Sequence, residues 1–347
     1  MEMNKELLLD MLSTPSVSGS EIEMGKKLYE YAGAFSQEVR TDEIGDVVAV
    51  LNPENPFRVM LSGHMDEIGL MVTAVTEEGF LRVNRTGGVF APLYPGHQVQ
   101  VITEKGPLFG AVVFTREMYK KENMVPADLY LEIGAGSREE ALEHVSLGDP
   151  VIFDNGCREL LNGRISGRGM DNRTGAFIVM EAVKKAQKLG CKVGVYGAAT
   201  VGEETTMNGA YFVASRVQPT LAIAVDITYT SDYPGMDIAS SGDVKVGGGP
   251  VLINNPSCHK KLQALLRQAA NTLGMAVQTE AAAGRTGTDG DIIHKTGKGV
   301  PFTCVSIPLR YIHSPAEVGC LSDIQDCIDL LAQFLVSLDG TLDLTWY

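Results

Sequence analysis

The sequence predicts an α/β fold interrupted by a separate small β domain, and three features of its 347 residues carry that expectation. Short apolar runs follow helical patterns over the first 61 residues. A middle block, from about Met71 to Asp154, is written as brief apolar runs separated by turn signals. Long helical and strand stretches then resume from Asp171. Elements of the first kind on both sides of an all-β block imply an insertion.

Taken in order, Glu6-Leu7-Leu8-Leu9-Asp10-Met11-Leu12 reads as a helix broken by Thr14-Pro15. Ser20-Glu21-Ile22-Glu23 offers a capping box for a second helix through Lys26 to Tyr31. Val47 to Val50 and Arg58 to Leu61 are β-type runs on either side of the turn Asn52-Pro53-Glu54-Asn55-Pro56. In the middle block, runs such as Val99 to Ile102 and Ala111 to Phe114 alternate with Glu78-Gly79, Thr86-Gly87-Gly88 and Lys105-Gly106-Pro107. That spacing suggests a small barrel or sandwich. Thr174 to Leu189 is a helix with Gly190 as its C′ residue. Lys192 to Thr200, Thr220 to Val225 and Phe302 to Ile307 read as buried strands.

Composition excludes several functions. With 44% hydrophobic and 21% charged residues the chain is that of a soluble globular protein, and its net charge of −14 repels nucleic acid and anionic membrane surfaces. No apolar run reaches the roughly 20 residues of a membrane span, and the N-terminal segment lacks the basic and apolar regions of a signal peptide, so the expected location is cytoplasmic. The six cysteines show no C-x-x-C spacing and are expected to be buried free thiols.

The chemistry gathers where strands end. His64 and Asp66 follow Val59-Met60-Leu61, Glu203 and Glu204 follow the run to Thr200, Asp226 closes Leu221 to Val225, and His313 comes shortly after Ile307. Open α/β sheets place ligand sites at the carboxyl ends of their strands. Asp171, opening the Thr174 helix, adds one more acid. So many carboxylates together would each need a proton or a cation, and a pair of divalent metals resolves the repulsion. Imidazole and carboxylate without thiolate suit zinc, cobalt or manganese. Two such ions roughly 3.5–4 Å apart hold and activate a water. Neighbours in an extended segment point to opposite sides, so Glu203 and Glu204 are expected to divide the work, one on a metal and the other as proton acceptor.

The motifs "GHMDEIG" at 63–69, "MDNRTG" at 170–175, "GEE" at 202–204, "VDIT" at 225–228, "GTDG" at 287–290 and "RYIHSPAEV" at 310–318 closely resemble, in order and spacing, the cobalt- or zinc-activated aminopeptidases that include glutamyl aminopeptidases and the tetrahedral (TET) peptidases. The resemblance implies an α/β peptidase domain with a mixed central sheet flanked by helices, formed by residues 1–69 and 163–347, and a barrel-like β insert, residues 70–162, for oligomerisation. By the same resemblance two divalent ions are bound in each subunit. His64 and Asp226 would hold one and Glu204 and His313 the other, with Asp171 bridging. Glu203 would be the general base, Asp66 would orient the His64 ring, and Thr288 and Asp289 would contact substrate. The family's members form oligomers, from dimers to dodecamers. Three departures stand out: Thr205 to Ala210 after the paired glutamates, Asn172 in place of an aspartate, and Gly290 in place of an alanine.

Plainer readings exist for each piece. His-x-Asp after a strand can be a surface turn, paired glutamates a solvated loop, and Asp171 a helix cap. His97, His144, His259 and His294 are expected to be surface or structural, and "VGGGP" at 246–250 lacks a nucleotide-binding frame. The expected function is a metal-dependent hydrolase removing N-terminal residues from short peptides by attack of a metal-bridging water; no G-x-S-x-G nucleophile elbow is present. The alternatives are an amidohydrolase acting on N-acyl amino acids or carbohydrate amides at the same centre, and a metal-bound scaffold without activity.

Overall fold

The computed structural model describes residues 2–345. Two helices, α1 (Lys5–Met11) and α2 (Ile22–Gly33), precede the strands β1 (Glu38–Thr41), β2 (Val47–Leu51) and β3 (Arg58–His64). The middle block supplies β4 (Gly69–Val75), β5 (Leu81–Thr86), β6 (Gln98–Thr103), β7 (Gly106–Val112), β8 (Tyr130–Glu132), the short helix α3 (Arg138–Leu142) and β9 (Pro150–Phe153). After β10 (Arg158–Glu159) and β11 (Arg164–Gly167) come α4 (Met170–Lys188), β12 (Gly194–Thr200), α5 (Asn208–Val217), β13 (Leu221–Tyr229), α6 (Ile238–Ser241) and β14 (Val251–Asn254). The chain continues through α7 (Lys260–Leu273), β15 (Gln278–Ala281), α8 (Gly290–Ile293), β16 (Phe302–Leu309), β17 (Glu317–Cys320) and α9 (Leu321–Ser337).

Eight strands form a mixed central sheet in the order β1-β2-β12-β3-β13-β16-β14-β15. Its middle four, β12, β3, β13 and β16, are mutually parallel. Parallel strands are covered on both faces, which explains why they read as unbroken apolar runs rather than alternating ones. Alternate residues serve two cores: Val59, Leu61, Ile223 and Val225 face α4 and α9, while Met60, Ala222, Ala224 and Phe302 face α5 and α8. Each large side chain buried there contributes roughly 1.5–3 kcal/mol. This layering holds the carboxyl ends of β3, β12 and β13 at one rim.

The middle block is a closed barrel, β4-β5-β8-β7-β6-β9, around its own core of Leu70, Val83, Val99 and Leu131. A small three-stranded sheet, β10-β11-β17, completes the fold. Among the described residues no helix is long and apolar enough to cross a membrane. Six cysteines are free; four of them are buried.

Local expectations divide. Gly190 follows α4 with φ +77° and Cys191 N–H donates to Ala186 O (3.0 Å), the expected helix stop. The capping box does not form, because Glu21 rather than Ser20 occupies the cap position and makes no side-chain cap there. Its carboxylate instead accepts from Gly202 N–H (3.1 Å), and Glu23 pairs with Lys26.

Candidate active site

The rim of the sheet brings together six of the residues that the sequence singles out. His64 is the last residue of β3. Glu203 and Glu204 lie just beyond β12, but in a turn rather than in extended chain, so the expected alternation does not separate them. Gly202 has φ +65°, and its carbonyl accepts from Thr206 and Met207 N–H, folding the segment back on itself. Asp226 does not close its strand: β13 runs on to Tyr229, with Asp226 in register with Ser306 of β16. Asp171 and Asn172 open α4 with non-helical angles and are joined by a cis peptide. His313 sits in the loop between β16 and β17 with φ +63°. Its Nδ1 lies 3.1 Å from the Gly88 carbonyl of the barrel, and a Cβ on Gly88 would come within 2.7 Å of the imidazole ring.

Two groups of donor atoms result. In one, His64, Asp171 and Asp226 each place a ligand atom within 4.8 Å of the others; in the second, Asp171, Glu204 and His313 do the same. Asp171 belongs to both. Its Oδ1 lies 3.4 Å from His64 Nε2 and its Oδ2 3.2 Å from His313 Nε2. Glu204 Oε1 is 3.3 Å from His313 Nε2, and Asp226 Oδ1 is 3.9 Å from His64 Nε2. Glu203 Oε2 stands 3.7 Å from His64 Nε2 but belongs to neither group.

The cluster crowds four carboxyl groups, Asp171, Glu203, Glu204 and Asp226, around two imidazoles, and the crowding shifts every one of them. Burial, opposed by His64 and reinforced by Asp226 and Asp289, pushes the Glu203 carboxyl up to about 10. Burial likewise raises Asp226 and Glu204. Burial lifts Asp171 too, yet hydrogen bonds to His313 and His64 hold it well below the carboxylate range. Against the pull of burial, Asp171 and Glu204 push His313 up to about 11, and Asp66 with Asp171 raises His64. Among the described residues buried Glu203 Oε1 has no hydrogen-bond donor, and Glu204 Oε1 has none beyond the His313 ring 3.3 Å away. Orphaned carboxylate oxygens beside two imidazoles, with no thiolate, fit two divalent cations sharing Asp171.

Residues around this centre hold it in shape. Asp66 Oδ1 lies 3.2 Å from His64 Nδ1, which turns Nε2 toward the acids. The same carboxylate accepts from Glu203 N–H (3.1 Å), Glu204 N–H (3.2 Å) and the Ser18 hydroxyl. Glu317, not among the residues the sequence singles out, accepts from Met170 N–H (2.6 Å), Asp171 N–H (3.2 Å) and His313 N–H (2.8 Å), tying together the two segments that carry Asp171 and His313. Burial and the Asp171 charge push its carboxyl up to about 8. Asn172 donates to Val225 O (2.8 Å) and accepts from Gly175 N–H (3.0 Å), and an aspartate could not make the first bond.

Thr288 and Asp289 separate. Thr288 lines the cleft, whereas Asp289 lies behind it, accepting from the Ser62 and Thr200 hydroxyls. His259 bonds Leu344 O (2.9 Å) and His97 packs on Phe153, so these two lie elsewhere in the fold. The cleft over these histidines and acids has a volume of about 240 Å³. A cavity of about 660 Å³ between α2 and residues 41–45 holds none of the paired histidines and acids, so size alone does not mark the site.

Residues 45–330 match the family model described as M42 glutamyl aminopeptidase. A lysyl aminopeptidase of Pyrococcus furiosus is 30% identical over 344 residues, which span 96% of this chain and 97% of that protein. The solved structure of a TET aminopeptidase from a marine sediment Thaumarchaeota archaeon matches with a TM-score of 0.90 at 30% identity, covering 96% of both chains. A Pyrococcus horikoshii TET peptidase, which can assemble into a tetrahedron or a large octahedral shell, matches with a TM-score of 0.86 at 30% identity, covering 96% of this chain and 99% of that one.

Proposed function

This chain belongs to the M42 glutamyl aminopeptidase family, and on that premise we propose that it removes N-terminal residues from short peptides at a centre of two divalent metal ions. The observation that carries the reading is the pair of ligand groups sharing Asp171, with Glu203 beside them and in neither. His64 and Asp226 would hold one ion, and Glu204 and His313 the other. Zinc or cobalt suits these donors, and manganese is also compatible. When bound, such ions supply Lewis acidity that polarises the scissile carbonyl and eases deprotonation of water.

The chain's own residues do the rest. Glu203, close to His64 but outside both groups, takes a proton from the attacking water and returns it to the departing amine. Asp66 fixes the His64 ring through Nδ1 and, through two backbone N–H groups, the turn that carries Glu203. Thr288 borders the substrate. Asp289 supports β3 and β12 from behind.

The division into residues 1–69 with 163–347, and 70–162, is proposed as catalytic domain and assembly module. Phe90, Phe109 and Phe114, 61%, 61% and 54% exposed in the middle block, give that module apolar surface for a homo-oligomer. Free thiols throughout suit a reducing, cytoplasmic setting.

The test is a panel of free and N-acylated aminoacyl chromogenic amides, assayed on metal-stripped protein reloaded with each ion. Turnover of the free-amine substrates is expected. Turnover of the acylated ones alone would overturn the aminopeptidase reading in favour of an amidohydrolase.

A further inference from the structure

The cleft has two kinds of wall. One carries the histidines and acids described above; the other is built partly by β14 and β15, which carry none of those ligands. Ile253 of β14 and Glu280 of β15 are paired in register and both line the cleft. Glu280 is half-buried, and the Thr228 hydroxyl donates to its Oε2. Among the described residues no lysine, arginine or histidine forms an ion pair with it. Thr228 thus fixes one oxygen of the carboxylate, and the other remains to receive a donor.

We infer that Glu280 selects peptides whose first residue is lysine or arginine, its carboxylate receiving the cationic end of that side chain. The inference rests on the aminopeptidase reading above. A lysine or arginine stem is apolar for three or four carbons and can lie along Ile253 and Ile312 while its charged end reaches the acid. A glutamyl side chain would bring a second carboxylate against Glu280, and a leucyl or norleucyl one would close the pocket over an unpaired charge. The substrate's α-ammonium is a different matter. It stands one carbon from the scissile carbonyl and so stays with the ligands, whereas Glu280 belongs to the other wall.

The experiment compares kcat/KM for lysyl, arginyl, norleucyl and glutamyl p-nitroanilides on the metal-loaded enzyme, on Glu280→Gln and on Glu280→Lys. Norleucine keeps the lysine stem without its ammonium. The wild type is expected to favour lysyl and arginyl over norleucyl by roughly ten- to a hundredfold, the worth of one charged hydrogen bond. In Glu280→Gln that ratio should collapse toward one, and in Glu280→Lys glutamyl should overtake lysyl. A wild type that cleaves norleucyl or glutamyl as well as lysyl would overturn the inference and leave the aminopeptidase reading standing. So would a Glu280→Gln enzyme in which all four substrates slow in the same proportion, since that would assign Glu280 to the α-ammonium. Absence of turnover on all four by the wild type would instead sink the aminopeptidase reading, and the inference with it.

Discussion

Glu67 and Glu203 are carboxylates cut off from water, 1% and 8% exposed, and the chain treats them in opposite ways. Glu67 is met by Arg168, with Arg173 Nη2 3.3 Å away, and accepts from Ser16 N–H (3.1 Å). Burial alone would raise its carboxyl, but the two guanidinium groups outweigh burial and hold it below the usual range. Among the described residues Glu203 faces Asp226, Glu204 and Asp289 with His64 alone in support, and one of its oxygens has no donor. A buried charge is costly unless it is paired. The chain therefore has the means to neutralise a buried acid and uses them at Glu67; at Glu203 no arginine or lysine among the described residues does the same, and the proposed cations would complete the pairing.

The sharpest way to break this contrast is to remove one charge from each region and ask what is lost. Glu203→Gln should lower kcat by roughly 10²–10⁴, the range of a positioned general base, with the metal content per chain unchanged. Near-normal turnover would take Glu203 out of the mechanism. Glu67→Gln should act on folding instead, costing roughly 3–5 kcal/mol because two buried guanidinium groups lose their counter-ion. Since the folded Glu67 carboxyl lies below its unfolded value of about 4.3, its contribution is complete above that pH and fades as pH falls through the lower folded value. Chemical denaturation of wild type and variant should thus differ fully at pH 7 and converge in strong acid. At the far end of the scale, the Lys26–Glu23 pair has side chains 64% and 69% exposed. Lys26→Ala should change stability by no more than a few tenths of a kcal/mol, checked by the same unfolding curves.

The same contrast separates what the sequence makes legible from what it does not. A histidine or acid after an apolar run is visible because it breaks a one-dimensional pattern, as His64, Glu203 and Glu204 do. Asp226 gathers with them from inside its strand rather than from its end. An acid that ends an apolar run looks like the strand's end even where the strand runs on, as β13 does to Tyr229. The Glu203–Glu204 turn depends on Gly202 adopting a positive φ, which the residue type permits but does not announce. The supporting bonds were out of reach altogether. Glu317 reaches Asp171 across 146 residues and Ser18 reaches Asp66 across 48, and no local pattern encodes such pairings. Glu67 and Glu317 do lie inside the motifs at 63–69 and 310–318. The barrel's outline was plain from its turn signals. Its contact with the centre, His313 Nδ1 against the Gly88 carbonyl, was not.

Titration of the metal-stripped chain with zinc or cobalt at pH 7, read by calorimetry and by the thermal midpoint, tests the claim about the cleft most directly. The midpoint should climb as the acids gain their counter-charge and level off at two ions per chain, and Asp171→Asn should weaken both steps together because that carboxylate serves both groups. Binding that fails to saturate, or a midpoint indifferent to the metal, would contradict it.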